Sequence, residues 1–517
     1  QYQACLLVGV QRGRAKTVSR IRTVQSTTRV SEGMAVIALI LFGSALLGST
    51  IMWSWSGGAD IAELTMCGAL GGVPHAPGYP LWTNLAWLAS QLIPAAHPAG
   101  RIAAMVAGLA VVAAVCTRGL IRSLGGGPWM STVMAGLILT IPISIRAFSV
   151  PEVYSLDLLL MSASAWAIFR KHEGMPDFWS AFGVMLAVLA VGHRPQNLLF
   201  LLALLATQNR QQLFTRQVAA GLLLGVFVQG ALYLDLWVRI HDPSTPWVAM
   251  GAVPGFVGFS TFVTGLDVAR FFDAPSLGRV LSMVGLQAAV VSAIAFVAPL
   301  VIRPKRLGWA VFGYAVAQVV FACVYRTSDA GFSFIPLIWW GVVVLGVTVT
   351  QYARGREALV SMAAFVGLCV LALNNREVMN KEVHQKWAHG LSEVLDAVPE
   401  GAVLVSSDWS VRAGLVSMQK VDQQRPDVDV VRIEANGEGA AVFSSWFHHG
   451  DPIWQTEERQ ELTESRTVRI YDERLLRPIE AQGFLANPAE AGTWSVESVD
   501  DEAVESEDSG EDTGSVD

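Results

Sequence analysis

The chain has 517 residues, of which 52% are hydrophobic and only 15% charged, with a mean hydropathy of +0.44. That balance excludes an ordinary soluble domain and fits a polytopic membrane protein. The net charge of −7 is set at the C-terminal end, where residues 497–517 hold ten acids and neither Lys nor Arg; the remainder carries 33 acids against 36 basic residues, and no basic block suggests a nucleic-acid partner.

Residues 1–33 read as a cytoplasmic N-terminal segment. The chain opens on Gln1, so Met34 is the alternative start. No cleavable signal peptide is expected, because the first apolar run is long enough to span and lacks a small-residue cleavage site. Apolar runs at 34–54, 102–121, 129–148, 153–169, 178–192, 196–207, 217–237, 280–302, 309–325, 333–350 and 357–373 give eleven candidate spans, read against about 20 residues per crossing. His193-Arg194-Pro195 separates two short runs, which leaves a broken or re-entrant element open there. Residues 81–95, with Trp82, Asn84, Trp87 and Gln91, read as an interfacial helix. The expected fold class is therefore mainly α, a polytopic helical bundle over residues 34–374.

Residues 375–495 change to ordinary, charged composition, with short β-like runs at 403–405, 428–431 and 468–470. A small α/β domain is the simplest reading. Residues 496–517, acidic, poor in aromatics and rich in Ser and Gly, read as a disordered tail. Cys116, Cys323 and Cys369 fall in apolar runs, where a thiol is a small core residue, and no Cys/His spacing suggests zinc.

Orientation follows from the basic loops. With residues 1–33 inside, the alternate loops at 118–127, 170–177, 208–217, 303–308 and 351–357 carry most of the loop Arg and Lys, among them Arg118, Arg122, Arg170, Lys171, Arg210, Lys305 and Arg354. Asp60, His75, Glu152, His193, Asp242 and Asp329 then fall on the outer face, as does everything after residue 374. The protein is expected in the cytoplasmic membrane, with its site and C-terminal domain outside.

The most informative stretch is 57–80, where Asp60, Glu63 and His75 lie in a polar, glycine-rich segment directly after the first apolar run. Acids at i and i+3 share one face of a helix, and His75-Ala76-Pro77-Gly78-Tyr79-Pro80 turns the chain back, so titratable groups can converge above a bilayer. The bland alternative is a helix N-cap at Asp60 with Glu63 closing a capping box. Further candidates are Glu152 and Tyr154 at the start of a span, with Arg146 near enough in sequence for an ion pair, and His193-Arg194 at the outer end of a short one. Tyr325-Arg326-Thr327-Ser328-Asp329 precedes another span, and the long loop 238–279 holds Asp242, Trp247 and several glycines. No glycine-rich phosphate loop, nucleophile elbow or metal-ligand cluster is present, so nucleotide-sugar chemistry is unsupported.

An apolar first helix, then Asp60-Ile61-Ala62-Glu63, then His75-Ala76-Pro77-Gly78-Tyr79-Pro80-Leu81 resembles the start of the transmembrane protein 260-like family, also described as domain of unknown function 2723. The usual family form is closer to Asp-x-Gly-Glu and His-Pro-Pro-Gly-Tyr-Pro. Glu152-Val153-Tyr154, the Tyr-x-x-x-Asp run from Tyr325 to Asp329, and Val398–Asp408 with Arg425–Val428 also resemble family segments. The resemblance implies a GT-C glycosyltransferase, akin to protein O-mannosyltransferases. Such an enzyme moves a sugar, mannose by analogy, from a polyprenyl-phosphate carrier to a hydroxyl of a protein, lipid or glycan acceptor on the outer face. By the same resemblance Asp60 is the general base and Glu63 its orienting partner. His75, Tyr79, Glu152, Tyr154, His193, Arg194, Asp242, Arg326 and Asp329 are candidates for substrate binding, with Arg194 first and Arg326 second for the carrier phosphate. No cofactor is called for, and a divalent metal stays open.

The rival class is a transporter or lipid flippase. Against it, the ionisable candidates gather at outer helix ends, and no pair of broken helices recurs in two matching halves. A non-catalytic scaffold presenting the outer domain is the third reading. The orientation is testable: a topology reporter fused after residue 380 should report the outside and one near Lys305 the inside, and reversed signals would move Asp60 to the cytoplasmic face.

Overall fold

The computed structural model describes residues 30–55, 58–95, 97–170, 176–207, 215–248, 255–264, 276–303, 305–325, 330–353, 355–378, 381–406 and 409–432, and the strand segments 434–435, 441–442, 468–470, 484–488 and 494–498. The segments 1–29 and 499–517, and with them the readings of an N-terminal segment and an acidic tail, lie outside the described residues, as do Arg326 and Asp329.

Helix α1 (Val30–Thr50) is apolar, with Glu32 in its first turn accepting from Arg118 and, at 2.8 Å, from Arg122. Helix α2 (Ala59–Leu70) opens after Gly58 at φ 134° and stops at Gly71 at φ 80°, two conformations that glycine adopts without steric cost. The chain then reverses. The Gly78 N–H donates to the His75 carbonyl at 2.9 Å, the Ala76–Pro77 peptide is cis, and Tyr79 (φ 41°) precedes Pro80, the first residue of α3 (Pro80–Leu92). Proline suits that place because the first helical N–H has no partner to lose.

Helix α4 (Pro98–Ser123) packs on α7 (Tyr154–Phe169), with Gly119 seated against the Trp166 indole. Between them, α5 (Pro128–Thr140) and α6 (Pro142–Phe148) meet at a 74° bend. Helix α8 (Pro176–His193) lies along the Arg216–His241 helix, where Gly221 approaches the Ala181 carbonyl and Gly225 approaches Val188. Small residues let these backbones come close, which is how helices associate where lipid removes the hydrophobic drive. Leu222, Leu223, Val226 and Phe227 of the 216–241 helix, and Leu359, Met362, Phe365 and Val366 of the Glu357–Asn375 helix, are exposed. Such apolar faces belong against lipid, so the protein is an integral membrane protein.

Each of the eleven apolar runs falls on helix, yet by length and composition six helices among the described residues can cross a membrane singly, or up to eight if each bent pair is one span. The 280–302 run is the second bent pair, turning by 109° at Gly285 (φ 77°), while Tyr154–Phe169, Phe178–His193 and Pro195–Thr207 are shorter apolar helices. The breaks have ordinary causes: Pro142 and Pro195 lack the N–H that would continue a helix, and Gly285 takes a conformation that ends one. The sequence left a break open at His193-Arg194-Pro195, whereas the bends within 129–148 and 280–302 were not expected. Helix α3, over most of the 81–95 stretch, buries Trp82, Thr83, Ala86 and Ala89 and turns Trp87, Leu88 and Leu92 outward, so it is an amphipathic helix with one face packed on protein.

After the last apolar helix, Lys381–Ala397 leads to strand β1 (Val403–Ser406), the Trp409–Asp422 helix and β2 (Asp429–Arg432). Strands β1, β2, β3 (Val468–Ile470), β4 (Phe484–Pro488) and β5 (Trp494–Ser498) form a five-stranded sheet in the order β2-β1-β3-β5-β4, with β1 parallel to β2 and β3, and β5 antiparallel to β3 and β4. Leu391, Leu395, Leu404, Leu415 and Met418 form a core that includes Trp55, from the segment between α1 and α2.

The Trp409–Asp422 helix is pinned to the helical bundle. Asp422 accepts from Trp55 Nε1 at 2.5 Å and lies 3.1 Å from His97 Nε2, and the Ser417 hydroxyl donates to the Ala62 carbonyl of α2 at 2.9 Å. Burial alone would raise the Asp422 pKa, but the hydrogen bonds from His97 and Trp55 outweigh it and hold the carboxyl below its ordinary value. Asp422→Asn should therefore cost about 1 kcal/mol at neutral pH, a charge-assisted hydrogen bond discounted for solvent screening. A depressed folded pKa contributes stability above the unfolded value that is lost as pH falls through the folded one. The melting temperatures of wild type and variant in detergent should thus converge on acidification, and a pH-independent gap would contradict this account.

Candidate functional site

The site is built on the first turns of α2. Asp60 lies in the first turn, but Gly58, not Asp60, occupies the N-cap, and no side chain caps the helix. The capping-box alternative is thereby excluded. Glu63, one turn on, is fully buried rather than folded back on the helix end. A buried carboxylate needs donors, and Glu63 has two from distant segments: His75 Nδ1 at 2.5 Å on Oε2 and Trp247 Nε1 at 3.2 Å on Oε1. An ionised carboxylate only accepts, so the His75 proton sits on Nδ1 when Glu63 is charged.

The ligand atoms of Asp60, Glu63 and His75 all lie within 4.8 Å of one another. Two carboxylate oxygens and an imidazole nitrogen are the donor set of a divalent-cation site, so among the described residues these three side chains could hold such an ion, a ligand grouping that was not expected from the sequence. His75 remains 29% exposed and Asp60 half-buried, which leaves this group reachable from outside while Glu63 is not.

From His75 a series of rings leads inward. The Tyr79 ring meets His75 edge-on at 5.5 Å between centroids and meets His193 edge-on at the same distance. His193 is buried, with Nε2 3.1 Å from the Val153 carbonyl, and the neighbouring Glu152 carbonyl accepts from Trp82 Nε1 at 3.0 Å. Arg194 is buried as well. Its guanidinium lies 4.5 Å from the Tyr154 ring centroid and 3.5 Å from Asp157 Oδ2, and Asn197 Nδ2 donates to the same carboxylate. Arg194 is therefore no lipid-surface anchor: a phosphate reaching it would share the guanidinium with Asp157.

Asp60, Glu63, His75, Tyr79, Tyr154, His193 and Arg194 thus fall in one connected series of contacts, although 134 positions separate the first from the last. Glu152 joins through its backbone. Asp242 stands in an exposed turn after the 216–241 helix, its carboxylate accepting from the Ser244 N–H and hydroxyl at 2.8 and 2.7 Å, the pattern of a structural turn residue. Asp157 and Asn197 were not singled out from the sequence, and Trp247 was named only as part of the 238–279 loop. Asp157 had a readable signal, being the one acid in the apolar α7 segment. The pairings of Asn197 with Asp157 and of Trp247 with Glu63 had none, because the partners lie 40 and 184 residues apart.

Residues 60–213 match the family model described as protein O-mannosyl-transferase TMEM260 N-terminal domain. No curated protein sequence matches the chain. Among solved structures, ArnT from Cupriavidus metallidurans bound to undecaprenyl phosphate superposes with a TM-score of 0.55 at 12% identity, covering 90% of this chain and 98% of that one. The apo state of the same protein gives 0.55 at 13% identity, covering 91% and 98%. An oligosaccharyltransferase from Archaeoglobus fulgidus, tethered to an acceptor peptide, scores 0.46 at 11% identity, covering 90% and 74%. At these identities the ArnT likeness is one of fold. Residues 60–213, which carry Asp60, Glu63, His75, Tyr79, His193 and Arg194, are thus similar to the protein O-mannosyl-transferase TMEM260 N-terminal domain, and the chain has an ArnT-like fold.

Proposed function

We propose that this membrane glycosyltransferase takes its sugar from a polyprenyl-phosphate carrier and transfers it, as mannose by family analogy, to an acceptor hydroxyl on the extracytoplasmic face. The observation that carries this reading is the convergence of Asp60, Glu63 and His75 within 4.8 Å, joined through Tyr79 to His193 and Arg194. The half-exposed carboxylate of Asp60 is the general base. As the acceptor oxygen bonds to the anomeric carbon, its proton passes to Asp60, and the electron pair of the breaking glycosyl bond leaves on the carrier phosphate. Glu63, buried and doubly hydrogen-bonded, orients the site rather than receiving the proton. Arg194 is the proposed partner of the leaving phosphate, with Tyr154 fixing the plane of its guanidinium. The C-terminal sheet and its helices form the proposed extracytoplasmic domain.

The two bent helix pairs are what favours the rival transporter reading, since broken spans line transport sites. Their break residues, Ile141, Pro142 and Gly285, bring no polar side chain to the cluster.

Two measurements test the proposal in lipid nanodiscs with a polyprenyl-phosphate sugar. Asp60→Asn keeps size and most hydrogen bonding but cannot take the proton, so transfer should fall by roughly two to four orders of magnitude in a folded protein. Near-normal transfer would remove Asp60 from the chemistry. Arg194→Ala should weaken donor binding more than acceptor binding. It also strands buried Asp157, at a cost of about 3–5 kcal/mol of stability, whereas Arg194→Ala with Asp157→Ala should recover stability without recovering donor affinity. Donor affinity that returns with stability would make Arg194 a purely structural residue.

A further inference from the structure

The segment that follows the 216–241 helix is bound to the loop after α2. The Val73 N–H donates to the Trp247 carbonyl at 2.8 Å, Val73 and Val248 form a parallel bridge, and Gly72 lies so near the Trp247 backbone that a side chain there would collide. This holds the Trp247 indole, only 6% exposed, against Met66 and Cys67 of α2 and Val416 of the 409–422 helix. One edge of the ring donates to Glu63, and the Arg412 guanidinium, from that same C-terminal helix and itself 5% exposed, stands 5.3 Å from its centroid. A cation over an indole face holds the ring where a desolvated pair is formed, and also polarises its N–H.

We propose that Trp247 is a positioning residue for Glu63 and that Arg412 of the C-terminal domain holds Trp247 in register, so that this domain sets the geometry of the site. Glu63 is then fixed from two sides, by His75 from the loop after its own helix and by Trp247 from the segment after the 216–241 helix, which Arg412 of the C-terminal helix backs. Asp60, on the same helix, is the other acid of this group. This inference deepens the glycosyltransferase reading and, in its rate measurements, rests on it.

The test has one readout independent of sugar transfer. In full-length protein labelled with 5-fluorotryptophan, Trp247→Phe assigns the Trp247 fluorine resonance. That resonance should move in Glu63→Gln and in Arg412→Gln, and stay near its wild-type position in Arg412→Lys, which keeps a cation over the ring. An unmoved resonance in the first two variants overturns the proposal, whatever the enzyme assays give. In the transfer assay, Trp247→Phe keeps the ring but loses the N–H. Its kcat should fall about tenfold or more with both KM values unchanged, the size expected for a hydrogen bond to a charged group. On a Glu63→Gln background the same change should add little, because the partner is already gone. Independent, additive losses would overturn the link through Glu63. A resonance that responds while Asp60→Asn transfers normally would uphold the relay and sink the assignment of Asp60 instead.

Discussion

A carboxylate with no access to water is costly unless donors meet it, and the arrangement around Glu63 follows from that constraint. One donor comes from the turn after its own helix and the other from a residue 184 positions later. To present His75, the chain must reverse within a few residues, which the glycine and proline positions of 76–80 achieve. To present Trp247, the segment after the long lipid-facing helix must return to α2, which the bridge at Val73 achieves. Glu63 is fully buried, whereas Asp60, one helical turn away, is half-exposed and is the more accessible of the two carboxylates.

The second buried charge is arranged differently. Inside the bundle Arg194 lies 3.5 Å from the Asp157 carboxylate, which also accepts from Asn197, with Tyr154 as a floor. A pair of this kind contributes little net stability but penalises any alternative packing that would separate its members. It fixes how α7 and α8 meet, and through His193 and Tyr79 it fixes the distance between the inner cation and the outer acids.

Much of this was legible in the sequence. The Asp60/Glu63/His75 grouping could be read from an acid pair at helical spacing before a Pro/Gly turn, and the helical nature of every apolar run from hydropathy. Three β-like runs became strands of one sheet. The number of crossings could not be read, since a run such as 129–148 is equally apolar whether straight or bent, and only the backbone shows the 74° turn at Pro142. That Trp82 packs on protein while Trp87 faces outward could not be read, because an amphipathic pattern does not say which of two apolar faces meets a neighbouring helix. Pairings such as Trp247 with Glu63, or Ser417 with Ala62, depend on tertiary closure, and local sequence carries no trace of them.

The pinning of α2 by the 409–422 helix bears on how the protein is made. Ala62 and Ser417 are 355 residues apart, and Trp55 and Asp422 are 367 apart. At about 5–20 residues per second, a ribosome reaches Ser417 roughly 20–70 seconds after Ala62. During that interval α2 has been synthesised yet lacks the contacts that seat it. Seating of α2 therefore waits for synthesis of the 409–422 helix, and a chain interrupted anywhere in its membrane region remains without it. Synthesis itself thus separates the making of the acid-bearing helix from its competence.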